Sequence, residues 1–307
     1  MRYWILIVLS VVCAVWSMTA QTHFRVGWYN VENLFDCTHD SLKNDSSYIE
    51  GGRYHWNHQR YYTKLDRIAQ VLVNMGGWES IPIVGLCEVE NAKCLSDLCR
   101  RLKCYSYKYV HYEGPDVRGV DVALLYDSAQ VKVLNSRSVG VKLGSDYTRD
   151  ILYVCALYKG KDTIHNIVCH LPSQMGGTLD TEWKRERGKK VIGHIVDSVL
   201  RTDANAQLIV MGDMNSEPKN DLRRMHNMML KMDEGEGTHK YQGTWSYLDQ
   251  YYVSDALWER ASVSIFSPEW LLEEDEKYLG YRPRRTYVGM RYQGGYSDHL
   301  PVLLYVK

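Results

Sequence analysis

Four short polar strings in this sequence carry the side chains from which enzymes build sites for divalent metals and phosphate. Each string adjoins an apolar run of the kind that forms a buried strand. The strings are Asn30-Val31-Glu32, Cys87-Glu88, Asp213-Met214-Asn215 and Asp298-His299. Because a sheet fixes the ends of its strands, we expect these carboxylate, amide and imidazole groups to point into one shared cleft. Mg²⁺ prefers oxygen ligands, so the inventory predicts a metal-dependent phosphoester hydrolase.

Read in order along the chain, these strings resemble the motifs of the endonuclease/exonuclease/phosphatase superfamily. The resemblance covers Asn30 to His299 and rests on Asn-Val-Glu at 30–32, Cys-Glu-Val-Glu at 87–90, His-Leu-Pro-Ser at 170–173, Gly-Asp-Met-Asn at 212–215 and Ser-Asp-His-Leu-Pro at 297–301. The superfamily includes deoxyribonuclease I, the abasic-site endonucleases, inositol polyphosphate phosphatases and neutral sphingomyelinases. The resemblance implies an enzyme with Mg²⁺ as its cofactor, for which Mn²⁺ could substitute.

The resemblance also implies which residues lie at the metal. They are Glu88, Asn30, Glu32 and Asp298. Glu90 remains a rival to Glu88, because the two residues share the same strand-face parity. Asn33 remains a rival to Asn30 as the asparagine that lies beside the metal.

Five further residues receive catalytic roles from the same resemblance. They are Asp213, Asn215, His299, His170 and Asp249. Asp213 would orient or deprotonate the attacking water, and Asn215 would help to hold the water or the phosphate. Asp249 would fix the tautomer of His299, while His170 would contact the phosphate or assist the leaving group. The resemblance leaves open whether Asp213 or His299 is the general base.

Three arginines are candidates for binding substrate phosphate. They are Arg149, Arg284 and Arg285, the last two in a basic cluster before the Asp-His string. The whole chain has 37 basic and 37 acidic residues, without the basic excess typical of non-specific nucleic-acid binders. We therefore expect a phosphodiesterase or endonuclease, with nucleic acid as one candidate substrate. A phosphatase or phospholipase-type hydrolase remains the alternative, and a non-catalytic binding protein would be expected to lack one of the core groups.

Apolar periodicity predicts the elements that must position these residues. Helices are predicted at 56–75, 91–102 and 181–200, and strands at 121–126, 131–133, 151–158, 163–169 and 247–253. The strands 151–158 and 163–169 form a predicted hairpin. Hairpin-linked strands between separated helices favour an α/β fold with two packed, mostly antiparallel mixed sheets and helices on the outside. This arrangement is also the four-layer, deoxyribonuclease I-like sandwich of the superfamily.

The N-terminus has the pattern of a signal peptide. Arg2 precedes an apolar stretch at 3–15, and small residues at 17–20 precede Gln21. The apolar stretch is too short for a good membrane span. We therefore expect cleavage after residues 1–20, a single domain at 21–307, a secreted or periplasmic location without a stable membrane span, and a monomer.

The remaining cysteines and histidines suggest no second chemistry. Of eight cysteines only Cys13 precedes residue 21, so an odd number remains and at least one thiol is free unless a bridge joins two molecules. Cys94, Cys99 and Cys104 could pair in an oxidising compartment. His111 lies in a tyrosine-rich strand, where we expect packing rather than ligation.

Overall fold

The computed structural model describes residues 24–144, 146–174, 176–233 and 235–307. The signal peptide predicted at residues 1–20 therefore lies outside the described residues. Within the described ranges, no helix is both long enough and apolar enough to cross a membrane.

Two six-stranded sheets form the centre of the molecule. The first contains, in spatial order, Ala261–Ile265 (β13), Val302–Val306 (β18), Phe24–Leu34 (β1), Ile83–Val89 (β2), Asp121–Asp127 (β4) and Tyr107–His111 (β3). The second contains Val131–Leu143 (β5), Asp146–Tyr158 (β6), Asp162–His170 (β7), Gln207–Asp213 (β8), Asp249–Ser254 (β12) and Met225–Asn227 (β9). In these sheets β1 pairs with β2 and β7 with β8 in parallel, whereas the other neighbours pair antiparallel.

Helices and short ribbons complete the elements of the described residues. The α-helices are His58–Met75 (α1), Ala92–Arg101 (α2), Thr178–Thr202 (α3) and Asp255–Trp258 (α4). The ribbons pair His239–Tyr241 (β10) with Thr244–Ser246 (β11), Leu272–Glu274 (β14) with Tyr281–Pro283 (β15), and Tyr287–Val288 (β16) with Arg291–Tyr292 (β17). Single 3-10 turns cover Ser46–Tyr48, Met228–Lys231 and Glu269–Leu271.

The sequence of α1 explains both its start and its packing. Asn57 accepts a hydrogen bond from the backbone N–H of Arg60, which satisfies one of the free donors at the helix start. Leu65, Ile68 and Leu72 recur at helical spacing and are buried. This apolar face packs on the first sheet.

The core lies in three apolar layers. Between the sheets it contains Trp28, Val154, Ile209, Tyr251 and Leu304, all buried. A second layer packs α1 and α2 on the outer face of the first sheet, and a third packs α3 on the outer face of the second sheet. These four layers of secondary structure confirm the predicted pair of mostly antiparallel mixed sheets with outer helices.

Element boundaries differ most from the prediction at β5. The sequence predicted a strand at 131–133, whereas the strand extends from Val131 to Leu143. Much of this edge strand faces solvent, so its polar residues carry no apolar alternation by which to recognise it. The helix predicted at 181–200 extends by a few residues at each end, to Thr178–Thr202.

The cysteines of the described residues form no disulfide. The pairing considered for Cys94, Cys99 and Cys104 is therefore not formed. The apolar runs around Cys87, Cys155 and Cys169 predict three core residues, of which Cys87 and Cys169 are buried and Cys155 is half-buried.

Candidate active site

Strand register brings three of the polar side chains to one edge of the second sheet. Asp213 ends β8, with His170 opposite it on the parallel neighbour β7. Asp249 lies opposite Asp213 on the antiparallel neighbour β12. Asp213 is therefore flanked by the two residues, one strand spacing away on each side.

The first sheet contributes its own polar ends to the same place. Asn30 on β1 lies opposite Cys87 on β2, so the next residue, Glu88, shares its edge. The side-chain amide of Asn30 donates to Asp213 Oδ2 at 3.2 Å, which joins the two sheets directly. The candidate site thus lies where the ends of strands from both sheets meet.

Asp213 is the centre of this arrangement. Its Oδ2 lies 3.6 Å from Nε2 of His170 and 3.8 Å from Nε2 of His299. Burial raises the pKa of the Asp213 carboxyl to about 7, against the opposing charge of His299 and with a further contribution from Asp249. The carboxyl therefore titrates near neutral pH, as a general base does.

His299 is held as a cation. Burial disfavours its charged form, but the carboxylates of Asp249, Asp213 and Asp298 outweigh burial and hold its pKa well above the usual range. Asp249 Oδ2 lies 2.6 Å from His299 Nδ1, and the indole N–H of Trp28 donates to the other oxygen of Asp249 at 2.7 Å. An imidazolium with a fixed ring orientation suits the stabilisation of a phosphate oxyanion.

His170 is held in the opposite state. Burial lowers its pKa well below the usual range, and the positive charges of Arg118 and His299 lower it further. Its Nε2 lies 3.9 Å from Glu88 Oε1, and its Nδ1 is buried without a hydrogen-bond partner among the described residues. The site therefore contains one neutral and one charged imidazole around the same carboxylate.

The carboxylates on the metal side are crowded and partly desolvated. Burial, together with the charge of Asp298, raises the pKa of Glu88, and the same two causes raise that of Glu32 to about 7. The cations Lys64 and Arg285 oppose the shift at Glu32, with contacts of 3.8 Å and 3.9 Å to its carboxylate. The crowding of these carboxylates favours the binding of a further cation.

Backbone strain concentrates at the same residues. Glu32, Asn33, Glu88 and Asn215 have φ angles of 51°, 52°, 62° and 48°. A left-handed conformation costs a residue with a side chain on the order of 1 kcal/mol or more. The N–H of Asn33 compensates part of this cost by donating to Glu88 Oε2 at 2.9 Å. Strain of this kind is typical of functional sites, where it aims side chains that regular backbone would direct elsewhere.

The donor set fits a divalent cation. Glu88, Glu32 and Asp298 offer carboxylate oxygens, and Asn30 offers an amide oxygen that accepts the N–H of Glu32 at 3.0 Å and keeps a second lone pair. A small number of oxygen ligands from the protein suits Mg²⁺ or Mn²⁺, because these ions keep several bound waters. At the same site, ligand atoms of His239, Asp298 and His299 lie within 4.8 Å of one another, and so do those of Asp213, Asp249 and His299.

A sequence model of the Endonuclease/Exonuclease/phosphatase family matches residues 25–307. The chain belongs to this family. It is a family of phosphoester hydrolases that depend on a divalent metal. No curated protein matches the chain significantly.

Solved structures of the family share the fold at low identity. Truncated TDP2 from Caenorhabditis elegans is 14% identical with a TM-score of 0.60, covering 92% of this chain and 97% of that one. A family protein from Bacteroides vulgatus is 15% identical with a TM-score of 0.61, covering 93% and 99%. The mannosyl-6-phosphatase Bt3783 from Bacteroides thetaiotaomicron is 16% identical with a TM-score of 0.58, covering 92% and 100%. These likenesses confirm the deoxyribonuclease I-like fold.

The structure brings all nine residues that the family resemblance predicted together around Asp213 and Glu88. They are Asp213, Asn215, His299, His170, Asp249, Glu88, Asn30, Glu32 and Asp298. The rival Glu90 instead accepts the backbone N–H of Asp36 at 2.6 Å. The rival Asn33 contacts Glu88 through its backbone N–H, whereas the Asn30 side chain contacts Asp213 directly. Both observations favour Glu88 and Asn30.

Arg149 differs from its predicted role as a substrate ligand. Its side chain is 3% exposed, and its guanidinium donates to the carbonyls of His170 at 2.9 Å and Leu171 at 3.0 Å. Its third nitrogen, Nη1, donates to Asp116 Oδ2 at 2.8 Å. All three nitrogens of the guanidinium therefore bond within the protein. The residue holds in place the segment that carries His170. The position of an arginine just before a strand does not predict this burial.

The other two arginines differ from each other. Arg285 contacts Asp298 and Glu32 and so lies at the metal side of the site. Arg284 is anchored through its backbone, which exchanges hydrogen bonds with Leu271 and Tyr296.

Sequence reasoning missed several residues of the site. Trp28 orients Asp249, and the ring of His239 lies 4.7 Å from that of His299 between centroids. Lys64 is buried beside Glu32 and donates to Thr286 Oγ1 and the carbonyl of Tyr296, each at 2.6 Å. A lysine on the apolar face of α1 was the available signal for Lys64, since lysines are almost never fully buried unless paired.

Proposed function

We propose that this chain hydrolyses a phosphodiester with Mg²⁺ or Mn²⁺ and an activated water. The observation that carries the proposal is the position of Asp213, whose carboxylate contacts the Asn30 amide and lies within 4 Å of both imidazoles. One carboxylate that titrates near pH 7, one imidazolium and one neutral imidazole provide the groups that water activation and charge stabilisation require.

Asp213 is the proposed general base. Its raised pKa allows it to take a proton near neutral pH, whereas the high pKa of His299 keeps that ring protonated. His299 then supplies positive charge next to the phosphate oxygens. This division of roles supports Asp213 rather than His299 as the proposed base.

The metal side would act on the phosphate. Glu88, Asn30, Glu32 and Asp298 would hold the ion, which when bound neutralises charge developing on the phosphoryl oxygens. His170 is neutral and can donate to or accept from the phosphate or the leaving oxygen.

A phosphomonoester or other small phosphoester is the second candidate substrate. A cavity of about 220 Å³ adjoins the metal side and is lined by Tyr48, Tyr54 and Tyr287 together with Glu32 and Asp298. Its arginine, Arg285, already pairs with carboxylates of the site. A tyrosine-lined cavity of this size suits a sugar or a single base better than a duplex, and the fold relative Bt3783 is named a mannosyl-6-phosphatase.

A substrate panel separates the two candidates. The purified chain without residues 1–20 is assayed with Mg²⁺ and with Mn²⁺ on bis-p-nitrophenyl phosphate, plasmid, single-stranded DNA and RNA, sugar phosphates, inositol phosphates and sphingomyelin. Cleavage of diesters with at least about tenfold higher kcat/KM than of any monoester supports the phosphodiesterase. The reverse preference supports the phosphatase, and full activity in EDTA contradicts both.

We also propose that residues 1–20 direct export and are removed. The proposal rests on the charged, apolar and small-residue order of that segment. Expression in a bacterial host, followed by fractionation and N-terminal sequencing, tests it. A periplasmic or secreted protein that begins near Gln21 is expected, and a cytoplasmic protein that retains Met1 would contradict the proposal.

A further inference from the structure

A second group of metal-ligating side chains lies in the first sheet, outside the site around Asp213. His111 ends β3 and Asp121 begins β4, and Glu113 lies in the connection between them. One ligand atom from each of these three residues lies within 4.8 Å of the other two. The strand pairing of β3 with β4 fixes the positions of His111 and Asp121.

One nitrogen of the His111 imidazole is buried and forms no hydrogen bond among the described residues. The atom is Nε2, and the side chain of His111 is 3% exposed. This nitrogen lies 3.8 Å from Asp121 Oδ2, which is beyond hydrogen-bond distance. A buried polar atom in this condition costs free energy unless a ligand or water contacts it.

We propose that His111, Glu113 and Asp121 bind a divalent transition-metal ion, with Zn²⁺ as the best fit. Imidazole and carboxylate together suit Zn²⁺ better than Mg²⁺, which prefers oxygen ligands alone. Ligand atoms about 2.1 Å from a tetrahedral zinc lie about 3.4 Å apart. The 3.8 Å between His111 Nε2 and Asp121 Oδ2 therefore needs only a small contraction. Glu113 lies 3.8 Å from the other ring nitrogen, Nδ1, so its carboxylate must move to the Nε2 side to share the ion.

The carboxylate of Glu113 is able to make this movement. Its side chain is 60% exposed, so it is free to swing toward the imidazole nitrogen that Asp121 already faces. Asp121 keeps capacity for a metal, because the N–H of Gly114, at 3.0 Å, uses only one of the two lone pairs of Oδ2, the oxygen that faces His111. Water would complete the coordination.

The local charge favours a cation. Lys43 is a nearby positive group, but its ammonium donates to the carbonyls of Gly114 at 2.6 Å and Asp116 at 3.0 Å. The carboxylate of Asp116 pairs with Arg149. Glu113 and Asp121 therefore offer two carboxyl groups near the single ammonium of Lys43.

The bound metal would fasten both ends of the loop 112–120. This loop carries Asp116, whose carboxylate holds Arg149, and Arg149 in turn holds the carbonyl of His170. The metal would thus stabilise the support of the active site without touching the reacting phosphate. His111, Glu113 and Asp121 are positioning residues in this role.

Zinc binding to the purified chain tests the proposal independently of any phosphoester substrate. Metal-free protein carrying Glu88→Gln, which weakens the proposed catalytic ion, is titrated with Zn²⁺ by calorimetry, and bound zinc is counted by elemental analysis. We expect His111→Asn to remove one equivalent of bound zinc and Glu113→Gln to weaken that equivalent by about tenfold or more. Zn²⁺ should raise Tm with His111 and Glu113 intact, and by less in the two variants.

His165→Asn is the matched control. His165 is also a strand histidine, but its Nδ1 pairs with the hydroxyl of Tyr153 at 2.8 Å. This variant should bind as much zinc as the parent. If His111→Asn does not fold, the exposed Glu113 provides the decisive variant. Unchanged zinc stoichiometry and affinity in Glu113→Gln, or equal losses in His165→Asn, would overturn the proposed site.

Discussion

His299 Nδ1 lies 2.6 Å from Asp249 Oδ2, while the indole of Trp28 donates to the other oxygen of the same carboxylate. Asp249 belongs to the second sheet, whereas Trp28 belongs to the first and His299 precedes another of its strands. The orientation and the charge of the imidazole therefore depend on how the two sheets pack. A single carboxylate thus links the packing of the two sheets to the imidazole that we propose contacts the phosphate.

Asp249→Asn should lower activity by roughly 10–100-fold, because an amide supports the His299 cation less well. The pKa of His299 should fall toward its usual range, since Asp249 is the largest contribution that raises it. Activity that needs the imidazolium should then be lost at lower pH than in the parent. The pH dependence of kcat measures this as a downward shift of the alkaline limb. Trp28→Phe, which removes one hydrogen bond and keeps the carboxylate, should produce a smaller shift, and an unmoved limb in Asp249→Asn would contradict the assigned role.

Asp213→Asn should reduce kcat by about 10²–10⁴-fold if Asp213 is the general base. The parent should show an acid limb near pH 7, because the carboxyl has a pKa of about 7 and must lose its proton to act. Activity therefore rises as pH increases through this value. Profiles at saturating metal separate this limb from the titration of metal ligands. An Asp213→Asn variant that keeps the same limb would show that another group is the base.

Glu88→Gln should weaken metal binding and reduce activity by orders of magnitude at limiting Mg²⁺, because it removes a charged oxygen ligand. The fold should be retained, since the amide preserves the shape of the side chain. Activity against Mg²⁺ concentration, together with circular dichroism, measures both effects. Glu276→Gln, at an exposed position, is the control that should leave both unchanged. Equal metal dependence in the two variants would remove Glu88 from the metal site.

Arg149→Ala should lower the free energy of unfolding by about 3 kcal/mol, because it removes the buried partner of Asp116 and leaves only the exposed Arg118 beside that carboxylate. The carbonyls of His170 and Leu171 also lose their donors. Urea unfolding measures the loss, and kcat should fall more than KM changes because His170 is no longer held. Arg137→Ala, at an exposed position of β5, should change stability by less than about 1 kcal/mol. A raised KM with unchanged stability in Arg149→Ala would instead restore the substrate-binding role.

The sequence by itself determined the family, the two-sheet fold and most residues of the candidate site. Strings such as Gly-Asp-Met-Asn follow apolar runs. The string gives the residue types, and its position after the run places them at the edge of a sheet. The apolar alternation behind each string then predicts which strands are buried. Exposed edges carry less of this signal, and for that reason β5 extends far beyond the predicted 131–133.

Only the tertiary structure decided what each polar group is free to do. Arg149 looked available for substrate, but its donors are used by backbone carbonyls and Asp116. Trp28 and Asp249 are 221 residues apart, and no local pattern relates them. Burial and charge at one atom depend on side chains from many strands at once. The protonation states of Asp213 and His299 are therefore properties of the packed sheets, whereas the presence of both residues can be read from the chain.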